Sequence, residues 1–531
     1  MNDKLKPLSL LNPEGYEGKN NMSLSRGALS DLGFLSCFNL RSSDLTEFLT
    51  DSPEVIEYRQ MTVRDITDVP ECLAALRRCV PIMSDICDVR RLSAGAEAAE
   101  DYLYGITEAE LYISLIDALA SSLLPLEEKL SSPAMKELCA RIRYLSEDEG
   151  SKKIRERLEE LSVRVRDIKS VTIGVNLDSR LAPETIGVVS VGQDRFSTPG
   201  AIEKLLRIDR RREDAGFIAP LLEVSKSFTD REREALNKAL REALSSVFKN
   251  NFRAWRAVVR EYVLSNADFI LGLLPEIEFL RAAGDFISSL DAKGVKRAFP
   301  KVFADGREFR AVGLVNPMTA LASENEMVPN DIAFDENAGI YVLTGPNRGG
   351  KSVVTCAVGQ AAVMAQLGLP VACESLETSV FDNVFCHFPS GDADTVDKGR
   401  LGEECTRLYG IISKITDKSL VLLDESLSST GSYEASCIAS ELLCGLSAAK
   451  CRAVFSTHLH TLASDIPAIN ERSEKYGGVK IDSLVAGIDS GERSFKIERR
   501  APEGLSYASD IAKRYGLSFE NIMKAVSGRE E

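Results

Sequence analysis

The residues best suited to chemistry lie in IYVLTGPNRGGKS, where Gly345, Gly350, Lys351 and Ser352 keep the spacing G-x-x-x-x-G-K-S. An apolar, strand-like run precedes them and the helical run VVTCAVGQAAVMAQ follows. A phosphate-binding loop needs that context. Its glycines let backbone N–H groups wrap phosphate oxygens, its lysine reaches the β and γ phosphates, and its hydroxyl helps to hold Mg2+. Gly345, Pro346, Asn347, Arg348, Gly349, Gly350, Lys351, Ser352 and Val353 then form a nucleotide cradle. A second apolar run, SLVLLDES, ends on Asp424 and Glu425. Beside a phosphate loop the first acid completes the Mg2+ shell with Ser352 and the second polarises the attacking water. In isolation the same pair reads as a helix N-cap followed by a solvated acid. A third run, RAVFST, stops just before His458. Parallel strands bring their C-terminal ends to one edge, so this imidazole either reports the γ-phosphate or is a structural histidine at a strand end.

Those side chains need elements to carry them. From residue 301 the apolar runs alternate with helical spans, the pattern of βα units around a parallel sheet. Upstream, ECLAALRRCVPIM, EAELYISLIDALASSLLPLEEKL and KKIRERLEELSVRVRDI keep apolar residues three and four apart, as helices do. Val171, Ile173 and Val175 then alternate with polar or small residues and 187–191 is β-branched, which predicts a small β insertion. Helical periodicity resumes over 202–290 with a long charged amphipathic stretch, the usual form of a lever or antiparallel coiled coil. The expected fold class is multi-domain: an all-α core and lever region with a small β insertion, then a C-terminal α/β P-loop domain. Its expected divisions are a loose tail (1–20), a helical core (21–168), the insertion (169–200), the lever (201–300), the ATPase domain (301–500) and a terminal segment (501–531).

A chain of 531 residues has ample material for several cores without a disulfide or metal staple. The net charge of -15 disfavours a uniformly basic nucleic-acid coat or a polybasic membrane-surface protein. Residues 204–260 run against that trend, with 14 Lys and Arg against 8 Asp and Glu. On charge alone this is either a solvated helix face or a surface for nucleic acid. The best apolar candidate for a membrane span, 361–373, is short and interrupted by Gln366, and the start lacks a signal-peptide pattern. A soluble, cytoplasmic protein with no membrane partner is expected. The 12 cysteines are scattered without C-x-x-C and read as reduced thiols.

Together the motifs resemble the MutS family of DNA mismatch repair ATPases, relatives of the ABC ATPases. TGPNRGGKS is similar to the family's TGPNxGGKS, with VPND at 328–331 in its run-up; LVLLDESLSSTGSYEAS is similar to LVLxDExGxGTSTxDG, and FSTHLHTLA to FATHxxxL. Near the C-terminus GLSYASDIAKRYGLSFENIMKAV resembles the helix-turn-helix with which family members clasp a partner ATPase. The resemblance implies an ABC-type ATPase using ATP and Mg2+, with Lys351, Glu425 and His458 as its catalytic residues. It also implies a homodimer clamping duplex or branched DNA without sequence preference, a reduced clamp at 169–200, and a possible repair protein as partner. Gly399, Arg400, Ser429 and Thr430 would face the opposite subunit, and Met327 stands where the family often stacks an aromatic on adenine. That methionine covers a purine or fills the core. The chain departs from the pattern at KGRLGEECTRL, where the family's GRSTFMxE has a Ser-Thr pair. Its single F-x-E, at 334–336, falls inside the ATPase region, so no mismatch wedge is expected, and no Smr-type nuclease either. A protein-partner clamp gated by ATP is the competing functional reading.

Overall fold

The computed structural model describes residues 8–16, 22–38, 40–94, 100–149, 152–153, 155–156, 170–177, 179–180, 183–194, 269–335, 338–388, 399–489, 492–501 and 515–527. Helices α1 (Arg26–Asp31), α2 (Phe34–Cys37), α3 (Pro53–Asp68), α4 (Pro70–Ala94), α5 (Glu100–Leu123) and α6 (Pro133–Glu147) precede strands β1 (Ser170–Leu177) and β2 (Pro183–Gly192). The described chain continues with α7 (Leu274–Ala292), β3 (Lys301–Phe303), β4 (Phe309–Leu314), α8 (Pro317–Ala322), β5 (Asn330–Phe334), β6 (Ile340–Thr344) and α9 (Lys351–Gln366). Then come β7 (Ser375–Ser379), β8 (Val384–His387), α10 (Gly399–Ile412), β9 (Leu420–Asp424), α11 (Ser432–Ala448) and β10 (Arg452–Ser456). The last are α12 (His460–Ser464), α13 (Ile466–Glu474), β11 (Ile481–Asp489), β12 (Glu492–Arg499) and α14 (Phe519–Ser527).

Two compact units result. The first comprises Met1–Leu8, Ala74–Glu127 and Glu137–Leu274; the second comprises Ser9–Leu73, Glu128–Lys136 and Pro275–Glu531. In the first, Leu76, Cys79, Met83 and Ile86 of α4 and Tyr112, Leu115, Ile116, Leu119 and Leu123 of α5 are buried, each set on one helical face. An ion pair between Arg90 and Glu108, 2.5 Å apart, links the two helices. The segment Thr107–Lys129 is by length and composition apolar enough to cross a membrane, which corrects the expectation that 361–373 is the best such candidate. Its alanines, leucines and isoleucines suit a core helix equally, and the buried ones share one face. Strands β1 and β2 form an antiparallel hairpin from Ser170 opposite Gly192 to Leu177 opposite Pro183, so the alternation at 171–175 does make a strand.

The second unit carries a six-stranded sheet in the order β12-β11-β6-β10-β9-β8, parallel except where β12 runs antiparallel to β11. A mixed four-stranded sheet, β3-β7-β4-β5, stands beside it in the chain; βα alternation did not foretell it. Helix α9 is buried on nearly every side. Gly359 makes this possible, because a Cβ there would come within 2.4 Å of Leu422 and 2.8 Å of Leu32. Gln360 and Gln366 secure it: Gln360 Nε2 donates to Leu32 O at 2.8 Å, and Gln366 Nε2 donates to Thr50 O at 3.0 Å and Phe381 O at 2.9 Å. Gln366 Oε1 also accepts the Phe381 N–H at 2.8 Å.

Three assignments made from periodicity differ here. Residues 9–16, read as part of a loose tail, are packed: Leu10 and Leu11 are buried, and the buried Arg59 guanidinium donates to Leu11 O at 2.9 Å and Asn12 Oδ1 at 3.1 Å. The segment packs through adjacent leucines and its own carbonyls, so neither helical nor strand periodicity reveals it. Residues up to Leu73, read with the helical core, belong to the second unit. So does α7, read as lever: its Phe279 stacks on Phe48 at 4.7 Å and its Gly284 abuts Leu73. The basic segment 204–260 and residues 502–514 lie outside the described residues.

Replacing Gln366 by leucine strands three buried backbone groups at once. We expect a loss of about 3 kcal/mol or more in urea unfolding, at about 1–3 kcal/mol for each unsatisfied group; a loss below about 1 kcal/mol would mean that water replaces the amide.

Candidate active site

Strand β6 is wholly buried and ends at Thr344, so the chain leaves the sheet edge directly into the loop 345–350. Three residues there have positive φ: Gly345 (141°), Arg348 (62°) and Gly350 (91°). At Gly345 a Cβ would also lie 2.6 Å from the Ala486 Cβ, so glycine is required on both conformational and steric grounds. Gly350 caps α9 without a side-chain acceptor, leaving first-turn N–H groups open to an external anion.

Lys351 begins that helix and is only 4% exposed. Its ammonium donates to Gly345 O at 3.2 Å and Pro346 O at 3.1 Å, folding back into the loop that it follows. Burial pushes its pKa below the ordinary lysine range, while Glu425 and Asp424 pull it back up. The two carboxylates arrive on β9. In the order β6-β10-β9, Ser456 of β10 is in register with both Leu343 and Asp424. Ser456 Oγ donates to Asp424 Oδ1, and the Glu425 N–H donates to Ser456 O at 2.9 Å. Glu425 (φ 46°) and Leu427 (φ 68°) then turn through the left-handed region, a costly conformation for residues with side chains.

A cavity of about 420 Å³ lies alongside, lined by Arg348, Gly350, Lys351, Ser352, Val353 and Glu425 together with Asn316, Met327, Asn330 and Phe495. Anion donors, a carboxylate and apolar faces therefore share one space. Among the sequence-designated residues, Ser352, Asn347 and Arg348 are exposed, Pro346 and Gly349 are buried, and Met327 is half-buried in the wall. His458 follows the end of β10 on the same sheet edge and is exposed, but it does not line the cavity. Ser429 donates to Glu404 of α10 at 2.5 Å and Thr430 to Glu434 at 2.6 Å. Gly399 and Arg400 open α10, and the side chains of Arg400 and His460 lie outside the described residues.

Residues 341–507 match MutS domain V, and residues 51–292 match the MutS2 N-terminal domain. The DNA mismatch repair protein MutS of Fervidobacterium nodosum is 31% identical over 240 residues, covering 39% of this chain and 28% of that protein. Endonuclease MutS2 of Bacillus velezensis is 26% identical over 479 residues, covering 86% of this chain and 56% of that protein. This chain belongs to the MutS family. It spans between 28% and 56% of the length of these two relatives.

Two residues of this MutS-family site escaped sequence reasoning. Phe495 is 45% exposed with φ 55° and sits where the β11–β12 register shifts, between Ala486 and Ile488. A bulge re-aims a side chain, and here an aromatic ring reaches the cavity wall. Asn330, from the VPND motif, fixes it: Nδ2 donates to Phe495 O at 3.2 Å and Oδ1 accepts the Ile497 N–H at 2.7 Å. An aromatic in a polar hairpin, SGERSFKIE, was the available signal. The second is His387 at the end of β8, 2% exposed, with Nδ1 2.7 Å from Ser426 Oγ.

Burial, aided by Arg407 and opposed by Glu404, lowers the His387 pKa to about 4. The unfolded chain would bind the proton first, so this residue withdraws stability as pH falls from about 6.5 towards 4 and leaves it intact above that window. Imidazole NMR should accordingly keep His387 neutral at pH 5; titration near pH 6.5 would mean that water reaches the ring.

Proposed function

We propose that the chain hydrolyses ATP at this site with Mg2+, as one subunit of a cytoplasmic homodimer whose nucleotide state opens and closes helical arms on DNA. The observation that carries the reading is the convergence of the buried Lys351 ammonium, the Asp424-Glu425 pair and an aromatic-walled cavity at one sheet edge. In the proposed chemistry the loop amides and Lys351 bind phosphate oxygens, and Glu425 orients the attacking water. Phe495 and Met327 cover the base, and His458 senses the terminal phosphate from the neighbouring strand. Ser352 and Asp424 would hold Mg2+, which when bound offsets phosphate charge. The donors fit that ion, because Mg2+ is usually held by one or two protein oxygens together with substrate phosphates. Among the described residues there is no group of three or more His, Cys, Asp or Glu able to hold a metal alone.

Dimerisation is supported by α14, where Phe519, Ile522, Met523 and Val526 are all exposed at helical spacing. Gly399, Arg400, Ser429 and Thr430 would then contact the partner's nucleotide. DNA is proposed from the relatives, whose names attach two of them to mismatch repair and endonuclease action, and from the basic charge of 204–260. Contacts to backbone phosphates through that segment would be sequence-neutral and salt-sensitive.

Three measurements test the reading. Lys351→Ala should abolish nucleotide binding, whereas Glu425→Gln should bind ATP and fail to turn it over; normal hydrolysis by Glu425→Gln would remove the proposed base. Phe495→Ala should weaken ATP by about tenfold, within the roughly 1–3 kcal/mol of a base stack, and leave tripolyphosphate affinity unchanged. Duplex or branched DNA should bind about a hundredfold more weakly at 200 mM than at 50 mM salt if several phosphates are contacted. Absence of any salt-sensitive DNA binding would sink the clamp on DNA and favour a protein partner.

A further inference from the structure

The turn bearing Glu425 is held from two sides. Ser429 donates to Glu404 of α10, and Ser426, the residue after Glu425, meets His387 Nδ1 at 2.7 Å. His387 terminates β8 in register with Leu423 of β9, so the contact spans two neighbouring strands where both leave the sheet. Its Nε2 is buried without a partner. Ser426 is itself buried and lies between Glu425 and Leu427, the two residues of this turn with positive φ. A strained turn stays in one conformation only where its surroundings over-determine it. His387 provides such a restraint at the centre of this turn, and its imidazole is neutral, so it acts through a hydrogen bond and contributes no charge.

We propose that His387 is a positioning residue for hydrolysis: through Ser426 it holds the 424–427 turn in the conformation that keeps the Glu425 carboxylate beside the cradle. The proposal rests on the reading of Glu425 as the water-orienting base. His387 touches neither nucleotide nor water in this scheme, and its loss should act on turnover and spare binding.

The test is steady-state ATPase kinetics and ATP affinity on the full chain. His387→Ala should lower kcat by about tenfold to a hundredfold, the range a misplacement of about 1 Å produces, with Kd for ATP changed less than about twofold. His387→Asn, which keeps a polar atom where Nδ1 stands, should recover most of kcat; His387→Gln, whose amide reaches further out, should not. Ser426→Ala should reproduce the loss, and the double variant should be no worse than either single one, as expected for one shared contact. If His387→Ala fails to fold, the Asn, Gln and Ser426 variants supply the same comparison. Unchanged kcat in His387→Ala, or equal loss in the Asn and Gln variants, overturns the proposal. Glu425→Gln, measured alongside, separates the two claims: active Glu425→Gln refutes the base and this proposal with it, whereas inactive Glu425→Gln beside normal His387→Ala refutes the positioning role alone.

Discussion

The arrangement depends on one buried charge. The Lys351 ammonium is withdrawn from water and turned into the carbonyls of the loop that precedes it, with Asp424 and Glu425 supplying the opposing charge. A buried ammonium without such partners would cost several kcal/mol, so the loop, the lysine and the acids stabilise one another or none of them holds. The loop must bend back far enough for its carbonyls to face its own helix, which requires positive φ at three positions. The acids must arrive on β9 at the level where β6 ends, and that sets the strand register through Ser456 of β10.

The rest of the second unit serves this alignment. Helix α9 cannot shift along its axis, because Gly359 is pressed between Leu32 and Leu422 and Gln366 is bonded to two separate segments. The chain before residue 50 and the ATPase-like sheet therefore share one core, although they lie far apart in sequence. The polar half of the cavity is fixed by the sheet edge. Its aromatic wall has another origin: Phe495 belongs to the antiparallel β11–β12 pair and is joined to the VPND segment through Asn330. Under the proposed function, affinity for a base and affinity for phosphates would come from different strands, so substitutions would separate them.

Glu425 occupies the most strained part of the site. Both it and Leu427 adopt left-handed backbone conformations, at a cost of order 1–3 kcal/mol each. Such strain persists where neighbours oppose its relaxation, and the neighbours here are Ser456 O, His387 and Glu404. Helix α10, whose first residues are candidates for contact with a second subunit, is connected to the same turn through Glu404 and Ser429. A physical route exists between that helix and the turn that carries the Glu425 carboxylate.

From sequence alone, the glycine-rich loop before a helix, the paired acids at a strand end, the strand-like runs around them and a small β insertion near 170–192 were legible, because each depends on contacts between near neighbours. G-x-x-x-x-G-K-S states its backbone requirements in consecutive residues, and strands β9 and β10 are buried on both faces, so their centres, 420–423 and 453–455, read as short apolar runs. What only the tertiary structure decided was set by contacts between distant segments. Leu10 and Leu11 form part of a core through Arg59, α7 packs with the second unit, Phe495 lines the cavity through a bulge, and His387 meets Ser426 across two strands. None of these has a period or a local spacing. They arise because the sheet order places β10 between β6 and β9 and β8 beside β9, an order that no stretch of neighbouring residues encodes.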